Sequence, residues 1–270
     1  MITSNAPSDA AASAGAPAAT PASSRLPATY VLVSGFWLGA SIWRDVAGVL
    51  SEHGHAVHAV DLTGMGERAA LASPETDLAT HIDDVVRVLE EHDLHDVVLV
   101  GHSYGALVTT GAADRVPERV ARLVYVDAGP LPDGVAQADF EGPAARAAHE
   151  ELVVTHGEGW MLPSPPWAVL AADVPEVDAE AVALLESSSR PQPWRTATSA
   201  VALTGAWEHL PRTGVLCSFG VDQVRHLASQ VPMFAPMADG DWTYIELPTW
   251  HWPMVSRPED LAAALEPADR

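Results

Sequence analysis

The chain has 270 residues, of which 48% are hydrophobic and 19% charged, enough apolar material for one large globular domain. Its formal net charge of −22 repels nucleic-acid phosphates and anionic membrane surfaces, so the composition argues against both as partners. The chain contains no lysine, which excludes mechanisms that need a lysine Schiff base or a P-loop lysine. Composition leaves the choice between a monomer and a homodimer open.

The cysteine content and the start of the chain bear on its compartment. The lone Cys217 has no partner for an internal disulfide, which is typical of a protein in the reducing cytoplasm. No run approaches the roughly 20 uninterrupted apolar residues of a membrane span. Residues 1–28 are rich in Ala, Ser, Pro and Thr and lack the basic start and long apolar block of a secretory signal, so we expect a disordered tail.

From Tyr30 onward, candidate strands and helices alternate along the chain. Apolar runs predict strands, and amphipathic spacing predicts helices. The expected strands cover 30–33, 55–62, 96–100, 122–126, 214–219 and 242–247. The expected helices cover 41–53, 81–91, the segment after Ser103, 223–230 and 258–265. Strands joined by helices of this length predict an α/β fold, with a parallel sheet covered on both faces.

Between residues 130 and 210 the alternation stops. This stretch is helix-prone but broken by prolines, and it carries four tryptophans. We expect a helical cap inserted into a core formed by residues 29–129 and 211–270. Trp160 and Trp167 of the cap, together with Trp37, are expected to line an apolar pocket. The alternative is a second packing layer without ligand contact.

The segment Gly101-His102-Ser103-Tyr104-Gly105 carries the strongest functional signal. It follows an apolar run (VVLV) and leads into a helix-compatible run (ALV), which predicts a strand, a tight turn and a helix. A sharp turn crowds the backbone at its apex, and glycines two positions to either side relieve that crowding. The pattern favours a nucleophilic serine at the carboxyl edge of a sheet over an ordinary strand-to-helix turn.

Residues 30–265 resemble the α/β-hydrolase superfamily, particularly its small-molecule esterase and hydroxynitrile-lyase-like branch. The resemblance rests on VSGFW (33–37), DLTGMG (61–66), GHSYG (101–105) and LPTWHWPM (247–254). It implies an α/β-hydrolase fold, a mostly parallel central sheet with helices on both faces and a helical cap insertion. No cofactor or metal is implied. Motifs of this kind are specific for the fold and much less specific for the substrate.

The position of His251 favours it as the base that serine needs. It lies four residues after the strand expected to end at Leu247, where members of the family carry their catalytic histidine. Its imidazole would take the proton of Ser103 and return it to the leaving group. We expect His102 to shape the turn. Surface positions are expected for His53, His55, His58, His81, His92 and His95.

Two aspartates are candidates for the acid that orients the imidazole. Asp127 ends the strand before the cap, and some hydrolases of this fold take their acid from that position. Asp222 follows the next strand and precedes the histidine by an interval close to the family's usual arrangement, but at a helix start it also suits capping. The pattern slightly favours Asp127 and leaves both open.

The resemblance also implies an oxyanion hole. Its donors would be the backbone N–H groups of Tyr104, after the nucleophile, and of Phe36, in the loop after the first strand. Relatives usually carry histidine before the glycine of this loop, whereas this chain has Ser34. We expect the exchange to be tolerated.

These features predict a cofactor-free serine hydrolase that cleaves an ester or thioester of a small, mainly apolar compound. A lyase, cyclase or acyltransferase of specialised metabolism is the first alternative, and a non-catalytic binding protein is the second. Dehalogenases and epoxide hydrolases of this fold use an aspartate nucleophile. This chain has Ser103 at that position, which argues against both classes. Hydroxynitrile lyases of this branch use a lysine, and the chain has none.

Overall fold

The computed structural model describes residues 26–238 and 241–266, so most of the predicted tail at 1–28 lies outside the described residues. Six of the described strands form one sheet in the order β2-β1-β3-β4-β7-β8, and every neighbouring pair is parallel. A short antiparallel ribbon pairs β5 with β6. The strands are β1 (Thr29–Val33), β2 (Ala56–Val60), β3 (Val97–His102), β4 (Val120–Val126), β5 (Met161–Leu162), β6 (Gln192–Pro193), β7 (Arg212–Leu216) and β8 (Trp242–Glu246).

Helices connect the strands and cover both faces of the sheet. The α-helices are α1 (Arg44–Glu52), α2 (Leu78–Glu91), α3 (Gly105–Arg115), α4 (Gln137–Phe140), α5 (Pro143–His156), α6 (Trp167–Leu170), α7 (Ala179–Ser188), α8 (Arg195–Thr198), α9 (Val221–Gln230), α10 (Pro253–Ser256) and α11 (Pro258–Leu265). Short 3-10 helices lie at Ala40–Trp43, Gly66–Leu71, Pro117–Arg119, Ala206–His209 and Pro232–Met237.

The apolar character of the strands on both faces explains the layered fold. Side chains alternate along a strand, so Val31 and Val33 join one core cluster, whereas Tyr30 and Leu32 join another. Helices α2 and α3 cover the first cluster, and α1 and α11 cover the second. This arrangement confirms the predicted α/β fold with its parallel sheet and helices on both faces.

Parallel strands end at the same edge of a sheet, and the candidate site residues follow those ends. The loop at 34–37 follows β1, Ser103 follows β3 and Asp127 follows β4. His251 lies in the loop between β8 and α10. The topology therefore collects residues that are far apart in the chain at one edge, as expected for open α/β sheets.

The segment between β4 and β7 contains helices α4 to α8 and the β5–β6 ribbon. It contacts the loop after β1, because the Arg190 N–H donates to the Trp37 carbonyl and the Trp37 N–H donates to Gln192 Oε1. The cap boundaries at 130 and 210 stay a prediction.

Two element boundaries differ from the sequence prediction for identifiable reasons. Helix α2 begins at Leu78, earlier than expected, because Asp77 and Thr80 form a reciprocal capping box. Strand β7 ends at Leu216 rather than at residue 219. The Cys217 and Ser218 N–H groups leave the sheet ladder and donate to the Asp127 carboxylate.

Candidate active site

A strained turn presents Ser103 between β3 and α3. The residue has a positive φ of 52°, which side-chain-bearing residues rarely adopt. A Cβ on Gly101 would lie 2.5 Å from Thr109 Oγ1, and one on Gly105 would lie 2.6 Å from the Val33 carbonyl oxygen. Only glycine fits at either position, so the two glycines permit the close packing that exposes the serine hydroxyl.

Ser103, His251 and Asp127 form one continuous chain of hydrogen bonds. Ser103 Oγ lies 3.0 Å from His251 Nε2, and His251 Nδ1 lies 2.6 Å from Asp127 Oδ2. An ionised carboxylate only accepts, so Nδ1 carries the proton that it donates to Asp127. In the neutral ring Nε2 is then the acceptor, and the Ser103 hydroxyl donates to it. This is the protonation pattern that a general base requires before nucleophilic attack.

All of the accepting capacity of Asp127 is used. Oδ1 accepts from the N–H groups of Cys217 and Ser218, and Oδ2 accepts from Ser218 Oγ and His251 Nδ1. Burial raises the pKa of this carboxyl, but the hydrogen bonds from His251 and Ser218 outweigh burial and hold the pKa below its ordinary value. The side chain is therefore ionised at neutral pH although it is inaccessible to solvent.

The alternative acid has a different environment. Asp222 is fully exposed in the first turn of α9, and its carboxylate lies 3.7 Å from Arg225. The structure brings Asp127 to the imidazole and leaves Asp222 at the surface.

His102 anchors the loop that carries His251. Its Nε2 donates to the His251 carbonyl oxygen over 2.7 Å, and its ring centroid lies 4.9 Å from that of His251. Burial, and secondly the neighbouring His251, lower the pKa of His102 to about 3, so the ring is neutral. The His102 side chain therefore holds His251 through the main-chain carbonyl of that residue.

The two residues predicted to supply the oxyanion donors contact each other through their side chains. The rings of Phe36 and Tyr104 stack with centroids 4.5 Å apart. Within the described residues, neither backbone N–H donates to a protein acceptor. A Cβ on Gly35 would lie 2.8 Å from the Cβ of Ser103, so the loop after β1 closely approaches the nucleophile. The assignment of these two N–H groups to an oxyanion hole stays a prediction.

Ser34 braces this loop through two buried hydrogen bonds. Its hydroxyl donates to the Gly39 carbonyl oxygen and accepts from Trp43 Nε1, each over 2.9 Å. The serine thus ties the start of the loop to its end and to the following 3-10 helix. Two bonds from a small side chain explain how the chain accommodates serine at a position where histidine is usual.

Two histidines expected at the surface are buried, so that expectation is wrong for His55 and His81. His81 Nε2 lies 2.8 Å from the Thr63 carbonyl oxygen, and its Nδ1 lies 3.0 Å from the Tyr104 hydroxyl. Burial lowers the pKa of His81, so the neutral ring donates to Thr63 and accepts from Tyr104. No periodic pattern in the sequence indicated that His81 would hydrogen-bond to Tyr104, the residue after Ser103.

An apolar cavity of about 400 Å³ opens onto Ser103, Asp127, Ser218 and His251. Its volume suits a small ligand. Aromatic, aliphatic and thioether side chains form its walls, namely Leu107, Leu131, Phe140, Phe219, Met233, Phe234 and Met237. Sequence reasoning missed this lining. The available signal was the apolar, proline-flanked segment PMFAPM at 232–237, which lacks helical or strand periodicity.

The tryptophans predicted to line the pocket lie elsewhere. Trp37, Trp160 and Trp167 are not among the residues that line this cavity. Trp167 is buried and packs edge-to-face against Trp37 and Trp252, whose ring in turn contacts His251. The rings of Trp37, Trp167 and Trp252 therefore pack against one another beside His251, which is a packing role that sequence composition alone could not separate from ligand contact.

No group of three or more His, Cys, Asp or Glu side chains within residues 26–238 and 241–266 is placed to hold a metal ion. None of the described helices combines the length and apolarity needed to cross a bilayer.

The fold and the geometry around Ser103 define a class of enzyme, and comparison with known proteins agrees. A sequence model of the Alpha/beta hydrolase family matches residues 30–264, and the chain belongs to this family. Its relatives include esterases, and it is an enzyme of the α/β-hydrolase esterase branch. The resemblance predicted from the motifs is confirmed.

Particular relatives show how far the similarity extends. The chain is 33% identical over 254 residues to a carbendazim hydrolyzing esterase of Nocardioides sp. (strain SG-4G), covering 88% of this chain and 98% of that protein. It is similar in fold to an extracellular alpha/beta-hydrolase from a Paenibacillus species, with a TM-score of 0.74, 21% identity and coverage of 88% and 98%. A variant of tomato methylketone synthase I has a TM-score of 0.71, 21% identity and coverage of 89% and 97%.

Proposed function

We propose that this enzyme is a serine esterase that hydrolyses an ester or thioester of a small, apolar compound through an acyl-enzyme on Ser103. The observation that carries the proposal is the hydrogen-bonded chain from Ser103 Oγ through His251 to Asp127, which opens onto an apolar cavity of about 400 Å³. The esterase among its relatives supports the same chemistry.

In the first half-reaction, Ser103 Oγ attacks the carbonyl carbon of the ester while its proton passes to His251 Nε2. The imidazolium that forms stays hydrogen-bonded to the ionised Asp127, which compensates its charge. The negative charge on the former carbonyl oxygen is stabilised by the N–H groups of Phe36 and Tyr104. Collapse of this intermediate breaks the bond to the leaving group, which takes the proton from Nε2 and departs as an alcohol or thiol.

In the second half-reaction, water attacks the acyl-enzyme and gives its proton to His251 Nε2. The same two N–H groups stabilise the second oxyanion. Collapse returns the proton to Ser103 Oγ and releases a carboxylic acid. Each group therefore ends in the state in which it began, and the reaction consumes one ester and one water.

The cavity walls support an apolar acyl or alcohol group. The rings of Phe140 and Phe234 pack at a tilt with centroids 5.5 Å apart, and Met233 and Met237 add adaptable thioether surface. Ser103 and His251 line the same cavity as these apolar side chains. A substrate with one ester group and an apolar body matches this distribution.

The test uses p-nitrophenyl acetate, p-nitrophenyl butyrate and a fluorophosphonate probe. We expect the parent enzyme to turn over both esters and to gain the mass of one probe. Ser103→Ala should lose turnover by about 10³-fold or more and escape labelling. Ser229→Ala, at an exposed position on α9, is the matched control and should behave like the parent.

Other outcomes separate the alternative functions. Labelling without ester turnover would contradict hydrolysis and indicate a lyase, cyclase or acyltransferase that uses the same serine. Ligand binding that survives Ser103→Ala, with no labelling of the parent, would indicate a non-catalytic binding protein.

A further inference from the structure

A second cavity, of about 480 Å³, lies beside the one that contains Ser103, and Leu131 lines both. Its apolar walls come from Leu131, Leu203, Trp207 and Pro236. Arg212, the first residue of β7, supplies a cationic group to the same cavity. The volume is within the range of cavities that hold small ligands.

Arg212 is buried and has no anionic partner among residues 26–238 and 241–266. Only 5% of the residue is exposed, and its Nε has no hydrogen-bond partner. Within the described part of the chain, no carboxylate or carbonyl oxygen accepts a hydrogen bond from its guanidinium. Other shielded arginines are paired: Arg68 with Asp84 over 2.7 Å, and Arg122 with the Leu265 carbonyl oxygen over 2.6 Å.

Two indole rings hold the guanidinium in place. Its central carbon lies 5.4 Å from the ring centroid of Trp207 and 5.5 Å from that of Trp242, which is the register partner of Arg212 in the neighbouring strand. Cation–π contacts stabilise the faces of the cation. They do not satisfy its N–H groups, which radiate in the plane of the guanidinium and form a donor fork suited to a planar acceptor with two oxygens.

We propose that this second cavity binds a small monocarboxylate with an apolar body, and that Arg212 receives the carboxylate. A bidentate pair, in which two N–H groups of the guanidinium donate to the two carboxylate oxygens, would supply the acceptors that the buried cation lacks. The body of the ligand would lie against Leu131, Leu203 and Trp207. No covalent step is involved, and the proposal does not depend on the reaction at Ser103.

The acidic residues of the cavity determine which anion fits. Asp133 and Glu208 line it, both at exposed positions, and Asp133 Oδ1 already accepts from the Leu203 N–H. These two charges oppose a phosphate dianion more strongly than a singly charged carboxylate. The apolar walls likewise favour an organic acid over an inorganic ion.

The test measures binding of 4-bromophenylacetate and of its neutral amide, 4-bromophenylacetamide, to the full chain by titration calorimetry. We expect the acid to bind at least about tenfold more tightly than the amide. Arg212→Met should lose this preference. Arg225→Met, which removes an exposed arginine on α9, is the matched control and should keep it. Thermal unfolding establishes that each variant is folded.

A second variant keeps the proposal testable if Arg212→Met does not fold. Glu208→Gln removes one exposed negative charge, and we expect it to tighten binding of the acid about two- to fivefold while leaving the amide unchanged. Anomalous scattering from bromine in a co-crystal should place the ligand between Leu203 and Arg212. Equal affinity for acid and amide, or bromine found only in the cavity of Ser103, would overturn the proposal.

Discussion

At the residue scale, the surroundings of Asp127 explain why it rather than Asp222 meets the imidazole. Its carboxylate accepts four hydrogen bonds, and three of them come from Cys217 and Ser218 on the neighbouring strand end. These donors leave one oxygen aimed at His251 Nδ1. Asp222 has no such framework, because it lies exposed on α9.

This difference gives a direct prediction for the two aspartates. Asp127→Asn should lower kcat by about 10⁴-fold, because an amide at this position favours the wrong imidazole tautomer. Asp222→Asn is the matched control and should retain activity within about twofold, as expected for an exposed residue. Steady-state kinetics with p-nitrophenyl butyrate measures both. The opposite pattern, with loss only in the Asp222 variant, would show that the orienting acid is misassigned.

The burial of His102 makes the stability of the folded protein depend on pH. The ring is neutral in the folded protein, with its pKa lowered to about 3, whereas an unfolded histidine has a pKa of about 6.5. The unfolded state therefore binds a proton between these values and the folded state does not, so stability is lost as pH falls through this window. The charged and titratable groups facing the ring are His251 and Asp127.

We predict that lowering the pH from 7 to 5 costs the parent about 2 kcal/mol of unfolding free energy through His102. His102→Gln, which keeps an N–H donor without a titrating ring, should show a loss smaller by about this amount. Urea unfolding at the two pH values measures the difference. Parallel pH profiles for the two proteins would refute the assignment.

At the element scale, the turn between β3 and α3 depends on glycine at its ends. A Cβ on Gly105 would lie 2.6 Å from the Val33 carbonyl oxygen and 2.7 Å from that of Ser34. These atoms belong to backbone and cannot move aside as a flexible side chain can. The turn therefore depends on the close approach of α3 to the end of β1.

Gly105→Ala should accordingly destabilise the enzyme by about 2 kcal/mol or more. Gly48→Ala is the matched control, since Gly48 lies within α1 and an added Cβ meets nothing within 4 Å. That control should raise stability by up to about 1 kcal/mol, because alanine favours a helix. Denaturant unfolding measures both, and equal destabilisation by the two changes would contradict the packing argument.

Strand β6 steadies the loop that carries a predicted oxyanion donor. Gln192 Oε1 accepts from the Trp37 N–H over 3.1 Å, and its Nε2 donates to Thr196 Oγ1 over 2.8 Å. Trp37 has a positive φ of 67°, so its conformation needs such support. The inserted segment thus helps to position the N–H of the preceding residue, Phe36.

We predict that Gln192→Ala lowers kcat about tenfold, with a smaller change in KM, because the oxyanion is stabilised mainly in the transition state. Gln230→Ala, at the end of α9, should leave both constants unchanged. Steady-state kinetics separates the two parameters. A rise in KM at constant kcat would instead assign Gln192 to substrate binding.

At the scale of the whole molecule, the charge of −22 implies repulsion between acidic side chains across the surface. We predict that raising NaCl from about 10 mM to about 100 mM increases the thermal unfolding temperature by a few degrees. The screening length falls from about 30 Å to about 10 Å over this range. Calorimetry at pH 7 measures the effect, with equimolar KCl as control. An unchanged or lower unfolding temperature would show that ion pairs outweigh the repulsion.

Local sequence determined the elements and the turn at Ser103. The apolar runs predicted the strands, and the glycines at 101 and 105 marked the tight turn, because periodicity and steric crowding act over a few neighbouring residues. The position of His251 after a predicted strand also predicted the imidazole that lies 3.0 Å from Ser103 Oγ. These features depend on short-range geometry, so they were readable before the fold was known.

Tertiary structure alone decided which acid meets the imidazole and which side chains line the cavity. It also decided that Arg212 is buried against two indoles, with no anionic partner in the part of the chain that the structure describes. Asp127 and His251 are 124 positions apart, and their contact depends on how two strand ends and their loops pack. The same holds for the phenylalanines and methionines that line the cavity where tryptophans were expected. No local pattern encodes such contacts, because they arise from the packing of distant segments around a common core.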